Sequence, residues 1–283
     1  MDITGLHKVL TAKDKWFRKK GDTIQTPDGP LTHIDRGGNV LAVAHLDWVK
    51  WTKKPKITKQ YNNYIIEDTP QLDDRLGAWM CLDVLPRAGI VADVLLTDNE
   101  ECGRTTAQHF ETSKKYNWIM EFDRQGGGVA MYEYEDDLME ELMRTYDYTV
   151  DQGSFTDICE LQSLGCKGFN FGVGYHKQHT DKCYANLAET FDSFRKVQSF
   201  YKDWKDTHLE HEEVYSYRGN WNLSGGWHTS AKRPATKVYN YNTKGKIHWP
   251  REEIKTVKEK EVVNHPYYPN KDACAYDFYS TEY

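Results

Sequence analysis

The sequence predicts an α/β protein, a three-layer sandwich in which helices cover both faces of a mostly parallel central sheet. One observation is a set of four short, nearly continuous apolar segments, typical of strands buried on both faces: residues 39–44, 91–96, 118–122 and 168–173. The other is that segments with helical periodicity alternate with these strands along the chain. Strands that alternate with helices favour a parallel sheet.

The remaining elements follow from local periodicity and from helix start and stop signals. In chain order we expect a helix over residues 4–19, short strands near 22–26 and 31–36, a helix over 73–85, an edge strand over 128–134, helices over 136–144 and 156–164, and a long helix over 187–204. Pro86 ends the helix of residues 73–85, because proline breaks a helix interior. The long helix carries Phe191, Phe194 and Val197 on one face, at the spacing of a helix that packs against a sheet.

The composition changes after residue 205. Residues 206–283 contain nine Ile, Leu, Val or Met residues and thirteen aromatic residues, and their charges balance at eleven of each sign. So few aliphatic side chains cannot close a second core. We therefore predict one catalytic domain over residues 1–205. The irregular, aromatic-rich C-terminal extension, residues 206–283, is expected to wrap this domain or a protein partner, or to be partly disordered.

Composition also excludes several classes of protein. The formal charge of −6 over 283 residues gives no electrostatic footprint for nucleic acid. No apolar run is long enough to span a membrane, and we expect no secretory signal, because the first residues carry Asp2, Lys8, Lys13 and Lys15 in a helix-like pattern. Its six cysteines include no Cys-x-x-Cys pair, which argues against a disulfide scaffold and a cysteine–zinc module. We expect a cytoplasmic location and no membrane partner.

Histidine and carboxylate side chains follow the predicted buried strands and one helix start. In chain order they are His45 with Asp47, Asp73 with Asp74, Glu100 with Glu101, Asp123, and His176 with His179. The carboxyl ends of parallel strands meet at one edge of a sheet, where ligands bind. Histidine and carboxylates are the ligands of catalytic zinc, and two such cations can share one carboxylate. The sequence therefore predicts a dinuclear metal site at this edge.

This series of motifs resembles the co-catalytic zinc exopeptidase superfamily, which includes zinc aminopeptidases, carboxypeptidase-like enzymes, dipeptidases and N-acyl amino acid deacylases. The resemblance covers about residues 38–182 and rests on a His-x-Asp, an Asp-Asp-x-x-Gly, a Glu-Glu, a later Asp and a late His. Between His45 and Asp73 lie 27 residues, and between Asp123 and His179 lie 55. Both intervals are shorter than the domains that larger branches insert there, so the chain is closest to the minimal single-domain aminopeptidases.

The resemblance implies a complete set of metal ligands. Asp73 would bridge two metal ions, next to a peptide bond to Asp74 that is cis in the family. His45 and Asp123 would complete one site. Glu101 and a late histidine would complete the other. The expected cofactors are two Zn²⁺ ions, with Co²⁺ or Mn²⁺ able to replace them.

The late histidine is either His176 or His179. We prefer His179, because a polar Thr180 follows it as Ser or Thr usually follows the family ligand. The resemblance also assigns two catalytic residues. Asp47 would fix the tautomer of His45 from its far nitrogen. Glu100 would be the general base that takes a proton from the metal-bridging water and passes it to the leaving amine.

The expected activity is hydrolysis of peptide or amide bonds with a water bridged by two zinc ions, with an aminopeptidase as the first hypothesis. The alternative is a deacylase or carboxypeptidase-like amidohydrolase that acts on a small N-acyl substrate. A third hypothesis is a non-catalytic interaction protein that uses the aromatic tail. Pocket charges do not decide between the first two, because the sequence offers groups that suit a carboxylate and groups that suit an amine: Arg124 and Lys177, or Asp98, Asp157 and Asp181.

A lysine-rich segment, residues 48–59, directly follows Asp47. It holds five lysines together with Trp48 and Trp51. One interpretation is a cationic lip at the active site that attracts an acidic or phosphate-bearing substrate. The other, which we favour, is an edge strand that lysines protect against aggregation. The expected partner is thus a small peptide or N-acyl compound, acidic if the first interpretation holds.

Overall fold

The computed structural model describes residues 2–214, which form two β-sheets and several helices. The strands are β1 (Asp22–Thr26), β2 (Gly29–Ile34), β3 (Val40–His45), β4 (Lys56–Gln60), β5 (Asn63–Glu67), β6 (Asp93–Thr97), β7 (Trp118–Arg124), β8 (Val129–Ala130), β9 (Gly168–Gly172), β10 (Tyr175–His176) and β11 (Tyr184–Asn186). The α-helices are α1 (Leu6–Thr11), α2 (Asp14–Arg18), α3 (Leu72–Trp79), α4 (Leu85–Arg87), α5 (Asp137–Thr145) and α6 (Leu187–Trp204).

The main sheet has seven strands in the order β1-β2-β6-β3-β7-β9-β8. Its four central strands, β6, β3, β7 and β9, are parallel, and they are the four buried strands that the apolar segments predict. The outer strands β1, β2 and β8 pair antiparallel. Every residue of β3, β6 and β9 is buried, as expected for strands covered on both faces. The predicted α/β architecture is confirmed.

Helical segments flank both faces of this sheet. Phe169 and Phe171 of β9 contact Phe200 of α6, and α3 packs against β3 and β7. Asn170 points to the opposite face, because successive side chains of a strand alternate. There it lies 3.4 Å from Thr156, which precedes the 3₁₀-helix Asp157–Glu160. Within residues 2–214, no helix combines the length and the apolar composition that crossing a bilayer requires.

A second, antiparallel sheet has the order β10-β11-β5-β4, and the sequence analysis missed it. Its β4–β5 hairpin turns at Tyr61 and Asn62, with Tyr61 at a φ of 54°. The usual signal for such a turn is Asn-Gly or Asp-Gly, which is absent here. Because β4 is an edge strand, the lysines at 56 and 59 of the lysine-rich segment have the protective placement that we favoured.

The expected single helix over residues 4–19 is wrong. The chain forms α1 and α2 instead, separated by Ala12 and Lys13 in extended conformation, with ψ of 140° and 155°. Tertiary contacts explain the break. The side chain of Gln71 donates to the Leu10 carbonyl (3.2 Å), and Arg75 donates to Asp14 (3.3 Å), so both helices are tied to α3.

Three other expected elements are irregular. The helix over 73–85 is α3, then a π-helix over Met80–Val84, then α4. The strand over 128–134 is short, since β8 gives way to a 3₁₀-helix at Tyr132–Tyr134. The helix over 156–164 is a pair of 3₁₀-helices, Asp157–Glu160 and Gln162–Leu164. In this last case the side chain of Asp157 accepts a hydrogen bond from Thr97 (2.6 Å), which anchors the segment to the end of β6.

The chain continues along the sheet after α6. Leu209 is fully buried; its amide donates to the Asn117 carbonyl (2.9 Å) and its carbonyl accepts from the Lys167 amide (2.7 Å). The predicted tail from residue 215 onward lies outside the described residues. The predicted domain boundary at residue 205 therefore stays a prediction, and two truncations test it.

We expect a chain that ends at Val214 to fold and to keep the metal content of the full chain. A chain that ends at Lys205 loses the buried Leu209 side chain and the backbone hydrogen bonds that residues 207, 209 and 211 make with the rest of the chain. It should be less stable by about 2–4 kcal/mol. Urea unfolding followed by circular dichroism measures the difference. An unfolded or metal-free 1–214 chain would show that residues beyond 214 complete the core.

Candidate metal centre

Three neighbouring parallel strands deliver ligand side chains to one edge of the main sheet. His45 is the last residue of β3 and is paired with Thr97, the last residue of β6. Glu100 and Glu101 open a 3₁₀-helix three residues beyond β6. Asp123 is the next-to-last residue of β7. The expected convergence at the carboxyl ends of the strands is present.

The imidazole of His45 lies at the centre of this group of carboxylates. Its Nε2 atom is 3.3 Å from Asp73 Oδ1, 3.5 Å from Asp123 Oδ1 and 3.9 Å from Glu100 Oε2. The ring is fully buried, yet neither of its nitrogens has a hydrogen-bond partner among the described residues. A buried imidazole without a partner is costly, unless a cation is bound there.

The imidazole of His179 approaches the same carboxylate from the other side. Its Nε2 atom is 2.9 Å from Glu101 Oε2 and 3.1 Å from Asp73 Oδ2. The two oxygens of Asp73 therefore face different histidines, His45 and His179. This is the geometry that a bridging carboxylate needs between two cations. The peptide bond from Asp73 to Asp74 is cis, as the resemblance implies.

His176 is not part of this group. Its Nε2 atom is 2.8 Å from Glu189 Oε2 at the start of α6, and its ring stacks on Tyr184 with a centroid distance of 5.0 Å. Of the two histidines that the sequence left open, only His179 reaches Asp73 and Glu101.

The donor set fits divalent cations. Two sets of three residues could each hold a cation: His45, Asp74 and Asp123, and His45, Asp73 and Glu101. Within each set, the ligand atoms lie within 4.8 Å of one another. Within residues 2–214, the buried Oε1 of Glu101 and Oδ2 of Asp74 have no hydrogen-bond partner. Imidazole nitrogens with carboxylate oxygens suit zinc and related metals. Asp74 was not an expected ligand; its other oxygen accepts the Gly77 amide (2.9 Å).

The electrostatics agree with a site built for positive charge. Burial, together with the charge of Asp73, raises the pKa of Asp123 to about 7. Burial also raises the pKa of Glu100 well above its usual range. Burial opposes ionisation of Asp73 too, but the interactions with His179 and His45 outweigh it and hold that pKa below its usual range. Crowded buried carboxylates resist ionisation without a compensating cation, and a bound metal reverses this balance.

Asp47 has the supporting position that the resemblance implies. Its Oδ1 lies 3.4 Å from Nδ1 of His45, on the far side of the ring from Asp73. The same carboxylate accepts the backbone amides of Glu100 (3.3 Å) and Glu101 (3.1 Å). One carboxylate thus holds the backbone of the two adjacent glutamates and lies beside the far nitrogen of the histidine.

The groups that hold Asp123 were not among the predicted site residues. The Tyr175 hydroxyl donates to its Oδ1 (3.0 Å), and the side-chain amide of Asn170 bonds its backbone N–H and C=O, each at 2.9 Å. Thr156 lies 3.2 Å from its Oδ2 and donates to the buried Glu121 (2.7 Å). The available signal was a polar residue inside an otherwise apolar strand, as at Asn170 in β9.

Three residues at this edge adopt a left-handed backbone that non-glycine residues rarely use. Asn99, directly before Glu100, has a φ of 63°; Lys177 and His179 have φ of 57° and 60°. Such conformations cost of order 1–3 kcal/mol each and cluster at functional sites. Here Asn99 directly precedes Glu100, and His179 is itself a residue of the centre.

Comparison with known proteins identifies the fold. No protein-family model matches the chain, and no curated protein matches its sequence. The structure is similar to aminopeptidase PepT from Bacillus cereus, with 10% identity and a TM-score of 0.50 over 72% of this chain and 97% of that chain. It is equally similar to a tripeptidase from Staphylococcus aureus, with 9% identity and a TM-score of 0.50 over 72% and 97% of the chains. The fold implied by the zinc exopeptidase resemblance is confirmed.

Two histidine variants test the metal centre. We expect the protein, loaded with zinc and passed through gel filtration, to hold two ions per chain, since a shared carboxylate pairs two cations. His179→Ala should lower the zinc content by about one ion per chain, because it removes a donor to one cation only. His176→Ala is the matched control and should keep both ions. Elemental analysis of the two variants decides, and the reverse pattern would contradict the assignment.

Proposed function

We propose that the protein is a metal-dependent hydrolase of peptide or amide bonds, of the aminopeptidase type. The observation that carries this proposal is the position of Asp73, whose oxygens lie 3.3 Å from His45 and 3.1 Å from His179. Glu100 stands at the same edge, 3.9 Å from His45. A shared carboxylate with a separate glutamate nearby provides both a place for two cations and a base.

The proposed cofactors are two Zn²⁺ ions, with Co²⁺ or Mn²⁺ as replacements. His45 and Asp123 would hold one ion, Glu101 and His179 the other, and Asp73 both. When bound, such a pair polarises a carbonyl and lowers the pKa of water toward neutrality.

Glu100 is proposed as the general base. It would accept a proton from the attacking water at its carboxylate and return that proton to the nitrogen of the leaving amine. Glu100 is not among the proposed ligands, so its carboxylate is available to exchange this proton. Asp47 would position this base by accepting the backbone amide of Glu100 (3.3 Å).

The substrate is proposed to be a small peptide. The two similar structures are described as an aminopeptidase and a tripeptidase, which supports this choice. The groups that left the alternatives open are mostly engaged elsewhere. Arg124 pairs with Asp151 (3.3 Å) and Asp98 with Arg18 (2.7 Å). The deacylase alternative therefore loses Arg124 as a carboxylate ligand, just as the aminopeptidase loses Asp98 as an amine ligand, and an assay decides between the two activities.

A reducing compartment suits this proposal. None of the five cysteines among the described residues forms a disulfide, as expected for a cytoplasmic protein.

A substrate panel tests the activity. Zinc-loaded protein should cleave aminoacyl anilides and short peptides with a free amino terminus, and chelation should abolish the activity. Cleavage of N-acyl amino acids alone would favour the deacylase. If both activities persisted after chelation, a metal-dependent mechanism would be contradicted.

Variants of the two adjacent glutamates distinguish the general base from the metal ligand. Glu100→Gln should lower kcat by about 10²–10⁴-fold at unchanged zinc content, because glutamine keeps the shape but accepts no proton. Glu101→Gln, the matched control, should lower the zinc content itself. Turnover and elemental analysis on the same preparations measure both effects. A fully active Glu100→Gln variant, beside an inactive Glu101→Gln variant with both ions bound, would reverse the assignment.

A further inference from the structure

A pocket of about 360 Å³ is lined in part by Trp48, the residue that follows Asp47 in the chain. Its lining residues come from the α1–α2 junction and from the start of the lysine-rich segment: Ala12, Lys13, Asp14, Lys15, Trp48 and Trp51. The volume is near the lower end of the range for small-molecule sites, about 300–1,000 Å³. The proposed hydrolysis uses none of these side chains.

The two tryptophans form a rigid wall. Their rings stack at a centroid distance of 6.0 Å and an interplanar angle of 30°. Behind Trp48 lies the fully buried guanidinium of Arg75, which is 5.0 Å from the Trp48 ring and 4.2 Å from the Phe17 ring. Arg75 follows Asp74, so the wall is attached to the segment that carries the bridging carboxylate.

A second contact fixes the far end of the wall. The side chain of Gln71 accepts the Thr52 amide (3.1 Å) and donates to the Thr52 carbonyl (2.9 Å). Gln71 precedes Asp73 by two residues. Because Arg75 contacts Trp48 and Gln71 holds Thr52, the two tryptophans are already ordered, and little conformational entropy is lost when a ligand binds.

The pocket carries a net positive charge. Lys13 and Lys15 are exposed, and neither forms an ion pair with any residue in the described range 2–214. The only acidic lining residue, Asp14, lies 3.3 Å from Arg75, which neutralises it. Aromatic faces beside uncompensated ammonium groups suit a ligand that has an apolar or planar part and a carboxylate.

We propose that this pocket is a substrate subsite, selective for peptides that carry an acidic residue next to an apolar or aromatic one. The proposal rests on the proposed peptidase function and specifies its substrate class. The proposed hydrolysis engages the scissile bond at the metal centre, so an acidic side chain elsewhere in the peptide would need a separate cationic contact, which Lys13 and Lys15 offer. The tryptophan wall supplies contact area, whereas exposed lysine–carboxylate pairs supply little energy but select the charge.

Matched peptides test the subsite by kinetics. Zinc-loaded protein is assayed with Ala-Ala-Glu-Phe and Ala-Ala-Gln-Phe, and with pairs that move the Glu or Gln to the second or fourth position. At one position the acidic peptide should have a kcat/KM about 3–10-fold higher, chiefly through a lower KM, because a remote contact adds uniform binding. The preference should shrink in 1 M salt, where charges are screened beyond about 3 Å.

Variants assign this preference to the pocket. In the double variant Lys13→Gln, Lys15→Gln the acid-to-amide ratio of kcat/KM should fall to about 1. The control double variant Lys115→Gln, Lys202→Gln removes two exposed lysines elsewhere and should keep the wild-type ratio. Trp51→Ala should raise KM for both peptides about 5-fold, since it removes contact area rather than charge. Wild-type protein without an acidic preference, or an unchanged ratio in the Lys13, Lys15 variant, overturns the subsite.

A binding measurement separates the subsite from the activity. Calorimetry with N-acetylated forms of the same peptides, which an aminopeptidase does not cleave, should give tighter binding of the acidic form. This difference should vanish in the Lys13, Lys15 variant. If no free peptide is cleaved while the difference in binding persists, the proposed function fails and the pocket stands. If peptides are cleaved without acidic preference, the function stands and the subsite fails.

Discussion

The carboxylate of Asp73 is the contact on which the rest of the centre depends. One oxygen faces His45 and the other faces His179, so this side chain joins the main sheet to the loop between β10 and β11. Buried carboxylates surround it, and like charges in a low-dielectric site raise one another's pKa values. The protein alone compensates this repulsion only in part, because each histidine carries at most one positive charge. A fold that concentrates so much acid at one edge is understandable as a fold for cations.

The sheet supplies rigidity for this arrangement at a cost in apolar packing. Asn170 and Glu121 occupy positions in central strands that an aliphatic residue would fill in an ordinary core, and both are fully buried. Hydrogen bonds to the backbone of Asp123 offset the cost of burying Asn170. A hydrogen bond from the Thr156 hydroxyl offsets part of the cost of burying Glu121, whose Oε1 atom has no partner within residues 2–214. Polar groups in buried strands thus hold the ligands in place, which a purely hydrophobic core could not do.

How well the sequence predicts an element depends on whether the contacts that form it join residues near to each other or far apart in the sequence. The four central strands were predictable because a strand buried on both faces is apolar throughout, as in β3. The clustering of histidine and carboxylate side chains was predictable because parallel strands end at one edge, whereas the role of each ligand came from the family resemblance. The helix over residues 4–19 failed because Gln71, some sixty residues away, binds the Leu10 carbonyl. The preference for His179 over His176 rested on the polar Thr180 that follows it, whereas the contact of His176 with Glu189 (2.8 Å) has no sequence signal. Local patterns carry no information about such distant partners.

The two halves of the centre differ in how far the fold completes them. His45 is fully buried at the end of a central strand, whereas the side chain of His179 is 49% exposed on a loop. That loop is anchored at its base, where His176 binds Glu189 and the Asn186 amide donates to the Gly174 carbonyl (3.1 Å). His45 is therefore held in place by the sheet, whereas the side of the centre that carries His179 is open to solvent. The same openness leaves the left-handed backbone of His179 without support from dense packing, so the bonds of its imidazole to a cation would have to offset that strain.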